Sequence, residues 1–228
     1  WKKLPFNFFK HGSKMQTRII PVLLLKEQGL VKTKRFQQPR YIGDPINAIK
    51  IFNDLMVDEL IIIDIEKRRY NRYPDLELVS EIVANAFMPV CYGGGVSSLE
   101  TARQLITSGV EKVCINLSSQ RNTGLIQALI KEFGSQSVVG CFDIKRNIFG
   151  HQKEYYHLTK KLGCSVKNLM AEVNALDIGE VLINDVDREG TKQGYDHLLL
   201  NQVNKACEKP YIFLGGASSL ADIKLAAT

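Results

Sequence analysis

The sequence has no run of about 18 apolar residues, so no membrane-spanning helix is predicted. It has no C-x-x-C, and its five cysteines, at positions 91, 114, 141, 164 and 207, show no zinc-site spacing with histidine. No metal site and no cofactor is expected. The cysteine count is odd and three of the thiols lie in apolar runs, which points to unpaired, buried thiols in a reducing compartment, the cytoplasm. The N-terminus lacks the long apolar centre and small-residue cleavage site of a signal peptide. No basic run carries interleaved aromatics, so nucleic acid is not an expected partner.

What is present suits a folded domain. Hydrophobic residues make up 45% and charged residues 24% of the 228 positions, enough for a substantial core in one barrel-sized domain. The net charge is +6, with Lys and Arg spread along the chain, which favours anionic small molecules such as phosphates. Residues 1–14 have aromatics and lysines but no strand pattern. They read as an N-terminal extension outside the fold, with Met15 as the candidate start of a single barrel domain over 15–228.

Apolar runs alternate with helical patterns. Strands are expected at 18–24, 59–64, 89–92, 112–116, 137–143, 179–184 and 210–214, each followed by a helix. Asp44-Pro45 and Tyr73-Pro74 read as helix starts, Ser97 with Glu100 as a capping box, and Gly109 and Gly134 as C-terminal caps. Seven alternations argue for an α/β fold with a parallel sheet.

The chain also repeats. Pro89 with Gly94-Gly95-Val96-Ser97-Ser98-Leu99 recurs as Pro210 with Gly215-Gly216-Ala217-Ser218-Ser219-Leu220, an offset of 121 residues. Glu59 and Asp64 recur at the same offset as Glu180 and Asp185. A repeat of this length holding four strand–helix units is half of a (β/α)₈ TIM barrel. The unit at Glu111–Asn116 should recur near position 232, past Thr228, so a barrel truncated before strand eight is expected. Val22–Lys26 lies against Cys141–Lys145 at an offset of 119, which sets Leu24 where the other half carries Asp143.

Active sites of parallel barrels sit at the C-terminal strand ends. Asp143 is there, either as a general acid or base or as a partner of Lys145-Arg146. Gly94-Gly95 and Gly215-Gly216-Ala217 follow strands and precede helices. They are phosphate turns or tight turns without a ligand, and their duplication favours phosphate. Asn116 can add a donor to the first turn. Gly190 and Thr191, in the polar loop after strand six, are structural or ligand contacts alike. At the opposite face, Arg18, Glu59, Lys112 and Glu180 stand near strand starts with alternating sign. Spacing alone makes them a salt-bridged floor.

Together, Arg18-Ile-Ile-Pro, Gly43-Asp44-Pro45, Asp58-Glu59-Leu60, Gly93-Gly-Gly, Lys112-Val-x-Ile-Asn116, Phe133-Gly-Ser-Gln136, Asp143-x-Lys-Arg146 and Asp187-Arg-x-Gly-Thr-Lys-x-Gly-Tyr-Asp196 resemble the cyclase subunit of imidazole glycerol phosphate synthase over residues 15–228. The resemblance implies a (β/α)₈ barrel that receives ammonia from a glutaminase subunit docked on its floor. It implies that Arg18, Glu59, Lys112 and Glu180 gate an ammonia channel. It also implies phosphate contacts at Gly94, Gly95, Asn116, Gly215, Gly216 and Ala217, and a pair of acids across the mouth. Asp143 matches one acid; the other falls on Leu24.

Three functions follow. The first is an ammonia-using barrel with altered chemistry, resembling a branch associated with surface-polysaccharide clusters. There a third protein builds an amidino group on a nucleotide-linked sugar. The second is the histidine-pathway cyclase itself, a lyase. The third is a non-catalytic scaffold that activates the glutaminase.

Overall fold

The computed structural model describes residues 17–66, 73–120, 124–156 and 159–226. The N-terminal extension expected over 1–14, and Met15, lie outside the described residues.

Strand β1 (Val22–Lys26) runs into an antiparallel hairpin of β2 (Gly29–Lys34) and β3 (Gln37–Gly43) before α1 (Pro45–Leu55). Four strands follow with helices between and after them: β4 (Leu60–Asp64), α2 (Leu76–Asn85), β5 (Val90–Gly93), α3 (Leu99–Thr107), β6 (Lys112–Asn116), a short α4 (Leu117–Gln120), α5 (Leu125–Phe133) and β7 (Val138–Arg146). A second hairpin, β8 (Gln152–Tyr156) and β9 (Lys161–Ser165), leads into α6 (Val166–Asn174). The chain continues through β10 (Glu180–Asp185), α7 (His197–Ala206), β11 (Tyr211–Leu214) and α8 (Leu220–Ala226).

Seven strands are parallel, in the order β11-β10-β7-β6-β5-β4-β1. Their side chains divide into two sets because alternate residues of a strand point to opposite faces. Leu60, Ile62, Val90, Val113, Val138 and Val181 face outward to helix residues such as Ile49, Ile82, Leu105 and Leu129. Val22, Ile61, Cys91, Cys114, Val139, Leu182 and Ile212 face inward and form one inner cluster to which all seven strands contribute. A sheet whose edge strands share an inner core has curled into a barrel-like (β/α) form. Among the described residues no hydrogen-bonded ladder joins β11 to β1.

The expected strands are all present, with shifts. Strand one begins at Val22 rather than Arg18, although the Pro21 carbonyl still accepts from Ile61 N at 2.9 Å. The two hairpins stand where helices were expected directly after strands one and five. They sit at equivalent places in the two halves, so the repeat extends to them. Asp44 caps α1 as expected, accepting from Asn47 N at 3.0 Å. The second helix is capped by Asp75, whose short carboxylate accepts from Leu78 N, so Tyr73-Pro74 lies outside it. Ser98, not Ser97, caps α3, since its Oγ meets Thr101 N at 3.1 Å; Glu100 then falls one place short of a capping box. Gly109 and Gly134 take positive φ at helix ends as expected.

Candidate active site and charged floor

The N-terminal ends of the strands carry a closed charge ring. Asp58 Oδ2 accepts from Ile19 N at 2.9 Å and so holds the segment carrying Arg18 against the barrel. Arg18 Nη1 donates to Glu59 Oε2 at 2.8 Å, and Nη2 donates to Glu180 Oε1. Lys112 Nζ reaches Glu59 Oε1 at 3.0 Å, Glu59 Oε2 at 2.8 Å and Glu180 Oε2 at 2.8 Å. Each cation therefore bridges both carboxylates. Glu59 is 2% and Glu180 9% exposed, whereas the Arg18 side chain is 40% exposed. Two buried carboxylates without these cations would be strongly unfavourable. The inner cluster, including buried Cys91 and Cys114, lies directly above.

At the other end, Asp143 is buried on β7 and accepts from Asn116 Nδ2 at 3.3 Å and Asn184 Nδ2 at 3.2 Å. Asn116 was expected to serve a phosphate turn; its amide is also turned toward Asp143. Asn184 was missed. Its signal was an amide in an otherwise apolar strand, Val-Leu-Ile-Asn, at a position where the other half has Ile63. Asn184 Oδ1 is buried with no hydrogen-bond partner among the described residues.

Leu24 opens onto a cleft of about 340 Å³ between β1 and β11, with Asn184, Glu189, Gly190, Gly215, Gly216 and Ala217 among its lining. Lys32 and Lys192 flank it. Gly94, Gly95, Asn116 and Thr191 do not line this cleft. Thr191 Oγ1 donates instead to Arg188 O at 2.8 Å within its own loop.

The paired glycines have a packing cause common to both halves. A Cβ on Gly94 (φ +110°) would lie 2.2 Å from Asp64 O, and one on Gly215 (φ +120°) 2.7 Å from Asp185 O. Each turn is thus pressed against the end of the preceding parallel strand. At the second turn Asp222 Oδ2 accepts from Ser218 N at 3.0 Å and Ser219 N at 2.9 Å. A carboxylate of the chain itself thereby occupies the start of α8.

The loop after β10 ties the mouth together. Glu189 accepts from Thr33 Oγ1 at 2.8 Å and Phe36 N at 3.0 Å, fastening the β2–β3 hairpin over the loop. Asp187 Oδ2 accepts from Arg146 N at 2.7 Å, and Arg146 Nη2 donates to Asp196, the N-cap of α7. Asp185 Oδ1 takes Asp187 N at 3.1 Å and Arg188 N at 3.3 Å, while its buried Oδ2 has no partner. Burial, with Asp196 and Asp187 nearby, pushes the Asp185 carboxyl up to about 6.

A parallel barrel with a polar mouth holding several buried acids, Asp143 and Asp185 among them, and a floor closed by charge has the general layout of barrel enzymes. The chain belongs to the histidine biosynthesis protein family, which matches residues 18–228. It is HisF-like. It is 42% identical over 210 residues to a Pseudomonas aeruginosa protein provisionally named imidazole glycerol phosphate synthase subunit hisF2, covering 92% of this chain and 84% of that one. A Leptospira borgpetersenii protein, also provisionally named as a HisF subunit, is 40% identical over 92% of this chain and 84% of its own. The imidazole glycerol phosphate synthase subunit HisF of Alkaliphilus metalliredigens is 35% identical over 90% of this chain and 82% of its own. Among the described residues no helix is long and apolar enough to cross a membrane.

Proposed function

We propose that this chain is the ammonia-accepting barrel subunit of a glutamine amidotransferase system, with mouth chemistry altered from that of a histidine-pathway cyclase. The observation that carries the proposal is the contrast between its two ends. The floor ring of Arg18, Glu59, Lys112 and Glu180 is complete, whereas the mouth has Asp143 without a carboxylate at Leu24. Ammonia from a glutaminase seated on the floor passes the ring as the neutral molecule and enters the apolar, thiol-containing interior. Arg18, the most exposed member, is the one that swings aside. Asp143 is then the mouth's proton acceptor, positioned by Asn116 and Asn184.

Leu24 has no proton to give or take, and loss of one general acid or base lowers a rate by about 10²–10⁴. Ring closure and cleavage that need two acids are therefore not the reaction we assign. The substrate we assign is a phosphorylated or nucleotide-linked sugar held at Gly190, Gly215, Gly216 and Ala217, with Gly94, Gly95, Asn116 and Thr191 at the rest of the mouth. The product step is amidino-group formation carried out with a third protein in surface-polysaccharide synthesis. The second reading is the histidine cyclase itself, favoured by the 35% identity to the relative named as that subunit.

Complementation of a strain lacking its histidine-pathway cyclase separates these. The full-length protein should fail to restore growth without histidine, and Leu24→Asp should restore it at least partly. Growth with the native protein would overturn the proposal in favour of the cyclase.

A further inference from the structure

Lys and Arg are spread along the sequence but gathered in space. Residues 26–43 carry five Lys or Arg against one Glu, and residues 145–165 carry five against one. The chain as a whole is only +6, so everything outside these two segments is acidic in sum. The fold continues both segments from the C-terminal ends of β1 and β7, as the β2–β3 and β8–β9 hairpins, which puts both at the mouth. Of their two carboxylates, Glu154 is fully buried and accepts from Ser118 Oγ and Tyr156 Oη; Lys26 and Arg146 are paired with Glu66 and Asp196 of other elements, so the outward charge is carried by exposed cations such as Lys32, Lys34, Arg40, Lys160 and Lys161.

The same two segments expose large apolar side chains. Tyr41 is 67%, Ile42 56%, Ile148 93%, Phe149 77% and Leu162 43% exposed. The turn bearing Ile148-Phe149 is built to hold its shape. Asn147 Oδ1 accepts from Phe149 N at 3.0 Å and His151 N at 2.9 Å, and Gly150 N donates to Asn147 O at 3.0 Å. An apolar tip already ordered in the free protein loses little entropy on docking.

We propose that the mouth is a docking surface for an acidic partner protein, with Ile148 and Phe149 seated in an apolar pocket of that partner and the hairpin cations lying against its carboxylates. Apolar anchors inside a charged rim are the ordinary anatomy of a protein interface. A small polyanion would use the cations and leave Tyr41, Ile148, Phe149 and Leu162 in water, Ile42 being part of the cleft wall. That the partner consumes ammonia leaving the mouth rests on the proposed function; the docking itself does not.

The test places a photo-crosslinking p-benzoylphenylalanine at Phe149 of the full-length protein in its own cells, with exposed Ile51 on the outer flank of α1 as the control position. The cross-linked protein is identified, purified and titrated. The expected partner attaches through an Asp- and Glu-rich surface. Its affinity falls at least about tenfold in Ile148→Ser and Phe149→Ser and falls with added salt, as charge-steered interfaces do. Ile51→Ser leaves it unchanged. Both mouth substitutions are at exposed positions, and an unchanged Tm verifies the fold.

Binding unaffected by Phe149→Ser, or insensitive to salt, overturns the proposal. So does a cross-link to a second copy of this chain, or none above the Ile51 control. Phe149-dependent binding to vesicles containing phosphatidylglycerol, or to poly(U) RNA, in place of a protein overturns it as well. A partner that docks as described but leaves glutamine-dependent product formation unchanged refutes the ammonia hand-over and leaves the docking standing.

Discussion

Replacing Lys112 with methionine keeps most of the side-chain volume and removes one charge from a ring that is neutral as built. Lys112 Nζ touches both oxygens of Glu59 and one of Glu180, so the variant leaves two carboxylates to share Arg18 alone. Removing one partner of a fully buried ion pair costs about 3–5 kcal/mol. Here Arg18 remains and is 40% exposed, so water screens part of the loss, and about 2–3 kcal/mol is expected. At this chain length each kcal/mol moves Tm by about 2–4 °C, giving a drop of about 5–10 °C. The assay is urea denaturation at pH 7 of Lys112→Met, Glu59→Gln and the double variant. Glu59→Gln in the Lys112→Met background restores neutrality, so the double variant should be at least about 1 kcal/mol more stable than the sum of the two single effects. Additivity within about 0.5 kcal/mol would refute the ring as a coupled unit.

Two further outcomes follow from the mouth. Folded Asp185 holds its proton up to about 6 whereas its ordinary value is 3.8, so between those values the folded state binds more protons and stability is lost as pH rises. Asp185→Asn, which keeps an oxygen for Asp187 N and Arg188 N, should be more stable than the native protein by about 1–2 kcal/mol near pH 7.5 and equal to it near pH 4; thermal melts at the two pH values check this, and an equal difference at both would count against it. Gly94→Ala and Gly215→Ala test the packing of the paired turns. The added methyl meets Asp64 O at 2.2 Å in the first and Asp185 O at 2.7 Å in the second, both at positive φ. Gly94→Ala should cost about 2–4 kcal/mol and Gly215→Ala about half of that in chemical denaturation, and the reverse order would mean the turns are not held by these contacts.

The seven parallel strands were legible because burial on both faces writes itself as apolar runs, and the two-half organisation because Gly94-Gly95 and Gly215-Gly216 recur with their flanks. The hairpins were not. β2, β3, β8 and β9 are short and largely polar, and such strands are specified by pairing, β2 on β1 and β8 on β7, rather than by a hydrophobic pattern of their own. The charge ring was legible as four residues at strand starts, but its closure depends on register: Glu180 pairs opposite Val139, and only the curl of the sheet brings Arg18 to it. Asn184 and Asp185 escaped for a different reason. Adjacent strand residues point to opposite faces, so Asn184 turns to Asp143 while Asp185 turns to the loop after β10, and a sequence shows neither orientation before the sheet order is known.

Along the first segment, by contrast, Arg18, Ile20, Val22 and Leu24 are alternate residues, and it is distance along one face that sets its two ends apart. Among the described residues the Arg18 side chain pairs with Glu59 and Glu180 at the floor, and Leu24 lines the cleft beside Asn184 and Gly215. Between them stand Ile20 and Val22, packed in the inner cluster, which transmit neither charge nor hydrogen bonds. Residues without shared partners change free energy additively. A leucine at position 24 therefore leaves the ring's geometry and electrostatics untouched. The two ends thus stand apart: four paired charges at the floor, and at the mouth Asp143 with its two amides, the buried Asp185 and Glu189, and a leucine at position 24.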